Sequence, residues 1–429
     1  MKRAQESLIR KDLEKKIVFI VGPRQVGKTW LALRIGESFS KTLYLNYDRL
    51  ADRKILLEEN WLPDTELLIL DELHKMTGWK RFLKGVYDTR WEGMRILVTG
   101  SARLDTFRQG GESLAGRYFA HRLLPFSVSE LVETGAISPT PQKKGHVDSR
   151  HVDSRHVDLR DMNSRDVDLR DVAVGGDSMS KTSTWSVEQM IDHLMDRGGF
   201  PEPFVAHEAV DVQRWRLQYI NGLIREDILD FGRVAELRTM QLILELLRQR
   251  VGGPISYSSI ARDVEASPNT VKKYIEILEA LFIVFRVTPF SRNIARSLLK
   301  EPKIYFFDNG MTIDDPGARF ENLMAVSLLK HVWGLTDATG LRHELKYIRT
   351  KDGREVDFCL VCENKVTQLI EVKYTDKHPT KSLRYFQERL SLPATQVVRN
   401  VKRERKEYGV EIRRAGMFLS HLWPQTESS

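Results

Sequence analysis

Lys16–Ile35 reads KIVFIVGPRQVGKTWLALRI, and the order of its parts decides the fold class. The apolar run from Ile17 to Val21 suits a buried strand, and the closing WLALRI suits a helix. Between them, GPRQVGKT satisfies G-x-x-x-x-G-K-[ST] with Gly22, Gly27, Lys28 and Thr29. Glycines let such a loop curl until its backbone N–H groups and the helix amino terminus surround phosphate oxygens. Pro23, Arg24, Gln25 and Val26 complete the curl, so the whole span from Gly22 to Thr29 is expected to contact ATP. Lys28 is expected to reach the β and γ phosphates, and Thr29 to ligate Mg²⁺.

Three more short apolar runs, Leu43 to Tyr47, Leu67 to Leu70 and Ile96 to Val98, alternate with amphipathic stretches. That rhythm predicts an α/β unit with a parallel sheet. LLILDE ends one of these strands in Asp71 and Glu72. There Asp71 would hold Mg²⁺, directly or through water, and Glu72 would orient and polarise the attacking water. In ILVTGSARL, Thr99 and Ser101 are the candidates for a polar sensor beside the γ-phosphate. SLAGR presents Arg117, which could serve as an arginine finger on a neighbouring subunit's nucleotide and would then require a homo-oligomer.

The chain has 429 residues, 41% hydrophobic and 29% charged, which predicts several globular domains. No apolar run approaches the roughly 18 residues that cross a bilayer, and the charged start MKRAQESLIRKDLEKK does not resemble a signal peptide. A cytoplasmic protein with no membrane partner is expected. Lys and Arg exceed Asp and Glu by 8, so an acidic partner such as DNA or RNA is permitted without being required. The two cysteines, Cys359 and Cys362, have C-x-x-C spacing. They lie in an alternating stretch that turns them to opposite faces, which argues against a redox or metal pair.

From Gly145 to Val172 the chain becomes a tandem pentapeptide, HVDSR, HVDSR, HVDLR, DMNSR, DVDLR. So short a period with one weakly apolar residue per unit cannot build a core, and His146, His151 and His156 are five apart, which suits neither a helix nor a strand face. A solvated, disordered insertion is expected. Helical patterns resume near Val187 and run through Ile228, broken at GGFPEP. Further on, Ser267 and Pro268 read as a helix cap and first residue, with Val271, Ile275, Leu278 and Leu281 as a buried stripe. Asn269, Thr270, Lys272 and Lys273 are left outward near that helix start, as on a recognition helix.

The end of the chain contains YIRTKDGREVDF and LIEVKYTD. Asp352-Gly353 is expected to close one hairpin and Cys362 to Val366 the next. If the second is centred on Asn364, Asp357 faces Glu371 and Glu355 faces Lys373, on one face shared with Cys359, Val361 and Leu369. Two adjacent carboxylates can ligate Mg²⁺, and a lysine beside them can help activate water for phosphodiester attack.

The phosphate loop, YLNYD, LLILDE, TGS, SLAGR, LLPFSVSEL, GGFPEPF and LIREDI together resemble the prokaryotic AAA-like ATPases that carry a carboxy-terminal nuclease-like domain. The resemblance implies an AAA-like core over 1–130, an insertion at 131–185, a helical lid at 186–235, a winged helix at 236–300 and a nuclease-like domain at 301–429. The terminal motifs are similar to the PD-(D/E)xK core, with Asp357, Glu371 and Lys373 in its catalytic positions and Glu321 as its customary extra acid. The function implied is an ATPase coupled to nucleic acid. A nucleotide-switched regulatory or scaffold protein is the alternative.

Overall fold

The computed structural model describes residues 3–100, 114–135, 185–228, 234–291, 301–375 and 377–422. Ser101 and the pentapeptide tract lie outside them. The first unit is a five-stranded parallel sheet of β1 (Ile17–Val21), β2 (Thr42–Asn46), β3 (Leu67–Asp71), β4 (Arg95–Gly100) and β5 (Tyr118–Arg122), in the order β2-β3-β4-β1-β5. β1 and β3 are buried at every position. Both faces are covered, which is why these strands read as unbroken apolar runs. Val18, Ile20 and Ile69 pack with Leu31 and Ile35 of the Lys28–Gly36 helix on one face. Phe19, Leu68 and Leu70 pack with Trp79, Leu83 and Val86 of the Trp79–Thr89 helix on the other.

Helices Val187–Arg197, Pro201–Val205 and Ala209–Ile228 follow, broken at Gly198-Gly199. That break is a docking point. The Phe126 N–H donates to the Gly199 carbonyl at 2.7 Å, and a Cβ on Gly199 would stand 2.6 Å from the Phe126 oxygen. GGFPEPF and LLPFSVSEL therefore meet across the interface between the sheet unit and the helices.

Helices Val234–Arg248, Tyr257–Asp263 and Pro268–Ala280 lead into an antiparallel ribbon of β6 (Val284–Val287) and β7 (Lys303–Phe306). The Ser267 hydroxyl accepts from the Thr270 N–H at 3.1 Å, and Val271, Ile275 and Leu278 are fully buried. Asn269, Lys272 and Lys273 are exposed, as the pattern predicts, and Thr270 is half-buried. The division expected near residue 300 falls inside this ribbon, because β7 pairs back onto β6.

After the Pro316–Thr339 helix comes a six-stranded sheet of β8 (His343–Arg349), β9 (Glu355–Cys362), β10 (Lys365–Thr375), β11 (Ala394–Asn400), β12 (Arg405–Glu407) and β13 (Val410–Arg414), in the order β12-β13-β11-β10-β9-β8. The Lys381–Leu390 helix covers one face through Leu383 and Phe386 against Cys359, Val361 and Leu369. The Pro316–Thr339 helix covers the other, where Phe320 and Met324 join Phe358, Ile370 and Val372. That second cluster is continuous with Val18, Ile20 and Leu31 beneath the first sheet. Cys359 and Cys362 are free thiols, Cys359 in the core with its pKa pushed up by burial. Among the described residues, no helix is long and apolar enough to cross a membrane.

Candidate functional site

The phosphate loop leaves the carboxyl end of β1 and closes on the Lys28–Gly36 helix. Gly22 is held where a Cβ would meet the Leu123 carbonyl oxygen at 2.2 Å, and Gly27 has φ +94°. Gln25 also takes a left-handed conformation, φ +58°, and its side chain accepts from Trp215 Nε1 at 2.6 Å. Lys28 is buried, with Nζ donating to the Gly22 and Pro23 carbonyls at 3.2 and 2.6 Å. Burial pulls its pKa down to about 8, against the opposing pull of Glu72 and Asp71.

Asp71 is the hub of the cleft. One carboxylate oxygen accepts from Thr29 Oγ1 at 2.9 Å and from the Tyr44 hydroxyl at 2.8 Å. The other accepts from Thr99 Oγ1 and, at 3.1 Å, from the Glu72 N–H. Pairing of β3 with β2 and β4 brings these groups level, since Asp71 stands beside Asn46 on one side and Thr99 on the other. Glu72 has φ +55°, which swings its carboxylate off the strand into the cleft. Burial raises its pKa, and Lys75 Nζ stands 3.4 Å away. The resulting cleft, about 600 Å³, is lined by Arg24, Gln25, Lys28, Thr29, Asp71 and Glu72, with Pro201 and Glu202 arriving from the following helices.

Thus Lys28, Thr29, Asp71 and Glu72 converge where the sequence places them, and Thr99 binds Asp71. Arg117 does not join them. It precedes β5, whose first residue pairs with Ile17 at the opposite end of β1 from the loop, and it is paired with Asp88 at 2.9 Å. Along a five-residue strand that separation is about 17 Å. Tyr44, Trp215 and Glu202 were not singled out from the sequence. Tyr44 could have been suspected from YLNYD and Glu202 from GGFPEPF, whereas Trp215 carries no local signal.

Beneath the loop lies a buried ion triad. Arg3 and Lys330 flank Glu130 at 2.8 and 2.6 Å, with all three side chains 2% exposed or less. Arg3 also donates to the Val26 carbonyl at 3.1 Å and to that of Leu124, and Lys330 to that of Pro125 at 2.9 Å. Burial lowers the Lys330 pKa to about 8, and the two cations hold the Glu130 carboxyl below its ordinary range despite its own burial.

A second polar cluster sits in the terminal sheet. The β9–β10 ladder pairs Ile370 with Phe358 and Leu369 with Cys359, so the expected register holds there. The turn itself is one residue tighter than expected, on Glu363 and Asn364, both with positive φ, and an irregularity between Val366 and Gln368 restores the register. On the other edge of β9, Lys346 pairs with Cys359 and Ile348 with Val356, which leaves Asp357 and Phe358 together opposite Tyr347. This bulge corrects the expected face. Cys359, Val361 and Leu369 face the Lys381–Leu390 helix, whereas Phe358 belongs to the cluster on the Pro316–Thr339 side.

Asp357, Glu371, Lys373, Glu355 and Glu321 do come together. Lys373 Nζ lies 2.8 Å from Glu371 and 3.8 Å from Asp357, whose carboxylate also accepts from the Val372 N–H at 2.9 Å. Burial and the charge of Asp357 raise both Glu321 and Glu371 to about 7. The sequence did not reveal Lys303, which lies 2.8 Å from Glu355, 3.6 Å from Asp357 and 3.9 Å from Glu321. Among the described residues, no three acidic, His or Cys side chains are arranged as a metal cage.

The sheet order, the phosphate loop and the Asp71 hub define an α/β P-loop NTPase fold. Residues 14–132 match the family described as AAA domain, so this segment is AAA-like. Residues 188–314 and 316–414 match two domains of unknown function, DUF8612 and DUF4143. The chain is 26% identical over 300 residues to an uncharacterized protein of Mycobacterium tuberculosis, covering 69% of this chain and 55% of that one. An uncharacterized protein of Haemophilus influenzae is 21% identical, covering 80% and 78%. The chain thus spans about half the length of the mycobacterial relatives it matches. Among solved structures it is similar to a Walker-type ATPase of Pyrococcus abyssi, with TM-score 0.41 and 14% identity over 75% of this chain and 95% of that one. The Holliday junction branch migration motor RuvB of Thermotoga maritima gives TM-score 0.29 and 14% identity over 66% and 87%.

Proposed function

We propose that the chain is a Mg²⁺-dependent ATPase coupled to nucleic acid. The observation that carries the ATPase reading is the convergence of Lys28, Thr29, Asp71 and Glu72 on one cleft at the carboxyl ends of parallel strands. Gly22 and Gly27 leave room for phosphate, and the hydroxyl and carboxylate of Thr29 and Asp71 suit a hard cation. A bound Mg²⁺ would neutralise charge developing on the transferred phosphoryl group. Lys28 would hold the β and γ phosphates, Glu72 would accept a proton from the attacking water, and Thr99 keeps Asp71 aligned. Ser101 keeps its candidacy as sensor. Arg117 can act only on another copy's nucleotide, which makes a homo-oligomer part of the proposal.

For the rest of the chain, three helices followed by a ribbon have the element order of a winged helix, and exposed Asn269, Lys272 and Lys273 give its third helix a polar, basic start. As they stand Glu321, Asp357 and Glu371 form no ready-made cage, so on this reading they would have to close around a divalent cation to make a nuclease-like site with Lys373 beside it. The orphaned Oε2 of Glu371, buried without a hydrogen-bond partner, supports that fit. The scaffold reading draws on the ion pairs made by Lys303, which neutralise the acids without a metal.

Salt-dependent DNA binding separates the two readings. In the 429-residue chain, replacing Lys272 and Lys273 by alanine is expected to weaken duplex binding and to flatten the slope of log affinity against log salt by about 2. Wild-type protein that binds no DNA or RNA at low salt would leave the scaffold reading in place.

A further inference from the structure

Residues 377–422 hold eleven Lys and Arg against four Glu, so seven of the chain's net eight positive charges lie in this stretch. Arg399 turns inward to Glu188 and Asp192, while Glu407 and Glu411 pair with Arg405 and Arg413. Lys377, Lys381 and Lys406 are exposed and have no ion-pair partner among the described residues. The Lys381–Leu390 helix buries Leu383 and Phe386 against the sheet. That leaves Lys381, Arg384, Tyr385 and Arg389 on its outer side, at i, i+3, i+4 and i+8, with Glu388 as the helix's one acid. Arg384 lies over the ring of Tyr408, 4.6 Å from its centre, and Arg354 and Arg389 lie over Tyr385 at 4.2 and 5.7 Å. Tyr408 stands at the tip of the β12–β13 hairpin and is 63% exposed. His378, 2.8 Å from Glu407, ties the chain before the helix to the same hairpin.

Helix and hairpin thus form one face on which cations meet aromatic rings instead of carboxylates. An arginine stacked on a ring keeps its charge and its planar fork of donors for an incoming anion, and the fork matches phosphate. The Nε of Arg384 is buried with no hydrogen-bond partner. An exposed tyrosine beside such a fork offers a surface on which an unpaired base can stack, whereas the bases of a duplex are already stacked on each other. We propose that this face binds single-stranded nucleic acid, with Lys381 and Arg384 on its phosphates and Tyr408 under a base. The acids around Asp357 lie on the other side of the sheet, where Lys303 reaches both Asp357 and Glu321 of the Pro316–Thr339 helix. The face therefore holds a strand and does no chemistry on it. This rests on the nucleic-acid reading and needs no metal at the acidic cluster.

The test is fluorescence anisotropy of a labelled oligothymidylate, and of a labelled duplex of the same length, titrated with the 429-residue chain over a range of salt. Replacing Lys381 and Arg384 together by glutamine is expected to weaken strand binding about tenfold and to flatten its salt slope by about 1.4, the value for two phosphate contacts on a single strand. Tyr408→Ala is expected to weaken strand binding about tenfold at unchanged slope and to leave duplex binding as it was, and Tyr408→Phe to keep wild-type affinity. Wild-type affinity in both the charge variant and Tyr408→Ala overturns this surface and leaves nucleic-acid binding elsewhere on the chain standing. A loss in the charge variant with none in Tyr408→Ala overturns the strand and makes the face a site for an acidic protein. No binding of strand or duplex at low salt overturns the nucleic-acid reading and this surface together. Should the charge variant fail to fold, Lys381→Gln alone, at an exposed position, is expected to flatten the slope by about 0.7, and an unchanged slope overturns the proposal.

Discussion

Lys28→Ala is expected to abolish ATP binding, whereas Glu72→Gln keeps the binding and loses the hydrolysis. Lys28 is the buried cation in the curl of the loop, anchored on the Gly22 and Pro23 carbonyls, so a neutral methyl there removes the charge that phosphate would meet. Loss of a charge-assisted contact at a desolvated position is expected to weaken binding at least a hundredfold, on the order of 3 kcal/mol. Glu72 stands elsewhere in the cleft, with its carboxylate beside Lys75 and its pKa raised by burial, as suits a proton acceptor. Glutamine keeps its shape and loses its basicity, so turnover is expected to fall about 10²- to 10⁴-fold. Fluorescent-nucleotide titration and phosphate release measure the two effects. Wild-type affinity in Lys28→Ala would remove the phosphate-loop assignment, and full turnover in Glu72→Gln would move the base elsewhere.

Glu130→Ala is expected to be among the most damaging single changes outside the cleft. It strands Arg3 and Lys330, each 2% exposed, without a counter-charge. Breaking a buried pair by removing one partner costs about 3–5 kcal/mol. Lys330→Met should cost less, because Arg3 and Glu130 remain as a one-to-one pair. Arg3 also grips Val26 in the phosphate loop, so Glu130→Ala protein that stays folded is expected to bind ATP more weakly. Urea unfolding with and without ATP measures both, and a Glu130→Ala protein within 1 kcal/mol of wild type would show the triad to be dispensable.

What could be read from the sequence follows how local each signal is. β1, the loop and the helix after it are contiguous, and strands buried on both faces leave apolar runs that need no partner to be recognised. Asp71 and Glu72 were legible for the same reason, since they end such a run. The Asp357 region was half legible. Register near Ile370 followed from the hairpin, but the bulge at Asp357 and Phe358 leaves no mark in an alternating pattern and turned Cys359 to the other face. Lys303 and the Trp215–Gln25 bond were not legible. Trp215 meets Gln25 from 190 residues away and Lys330 meets Glu130 from 200, and no spacing rule spans such distances. A basic residue in a short apolar strand reads as surface until the acids around it are seen.

The apolar cluster that runs from beneath the first sheet to the inner face of the second makes the two sheets thermodynamic partners. Neither can lose its packing without exposing apolar surface of the other, so the two sheets are expected to stabilise each other against unfolding. Ligand bound to the folded form at a hundred times its dissociation constant adds about 2.7 kcal/mol to whatever unfolds with its site. Nucleotide held at Lys28 is therefore expected to raise the heat resistance of strands around Asp357 that it never touches.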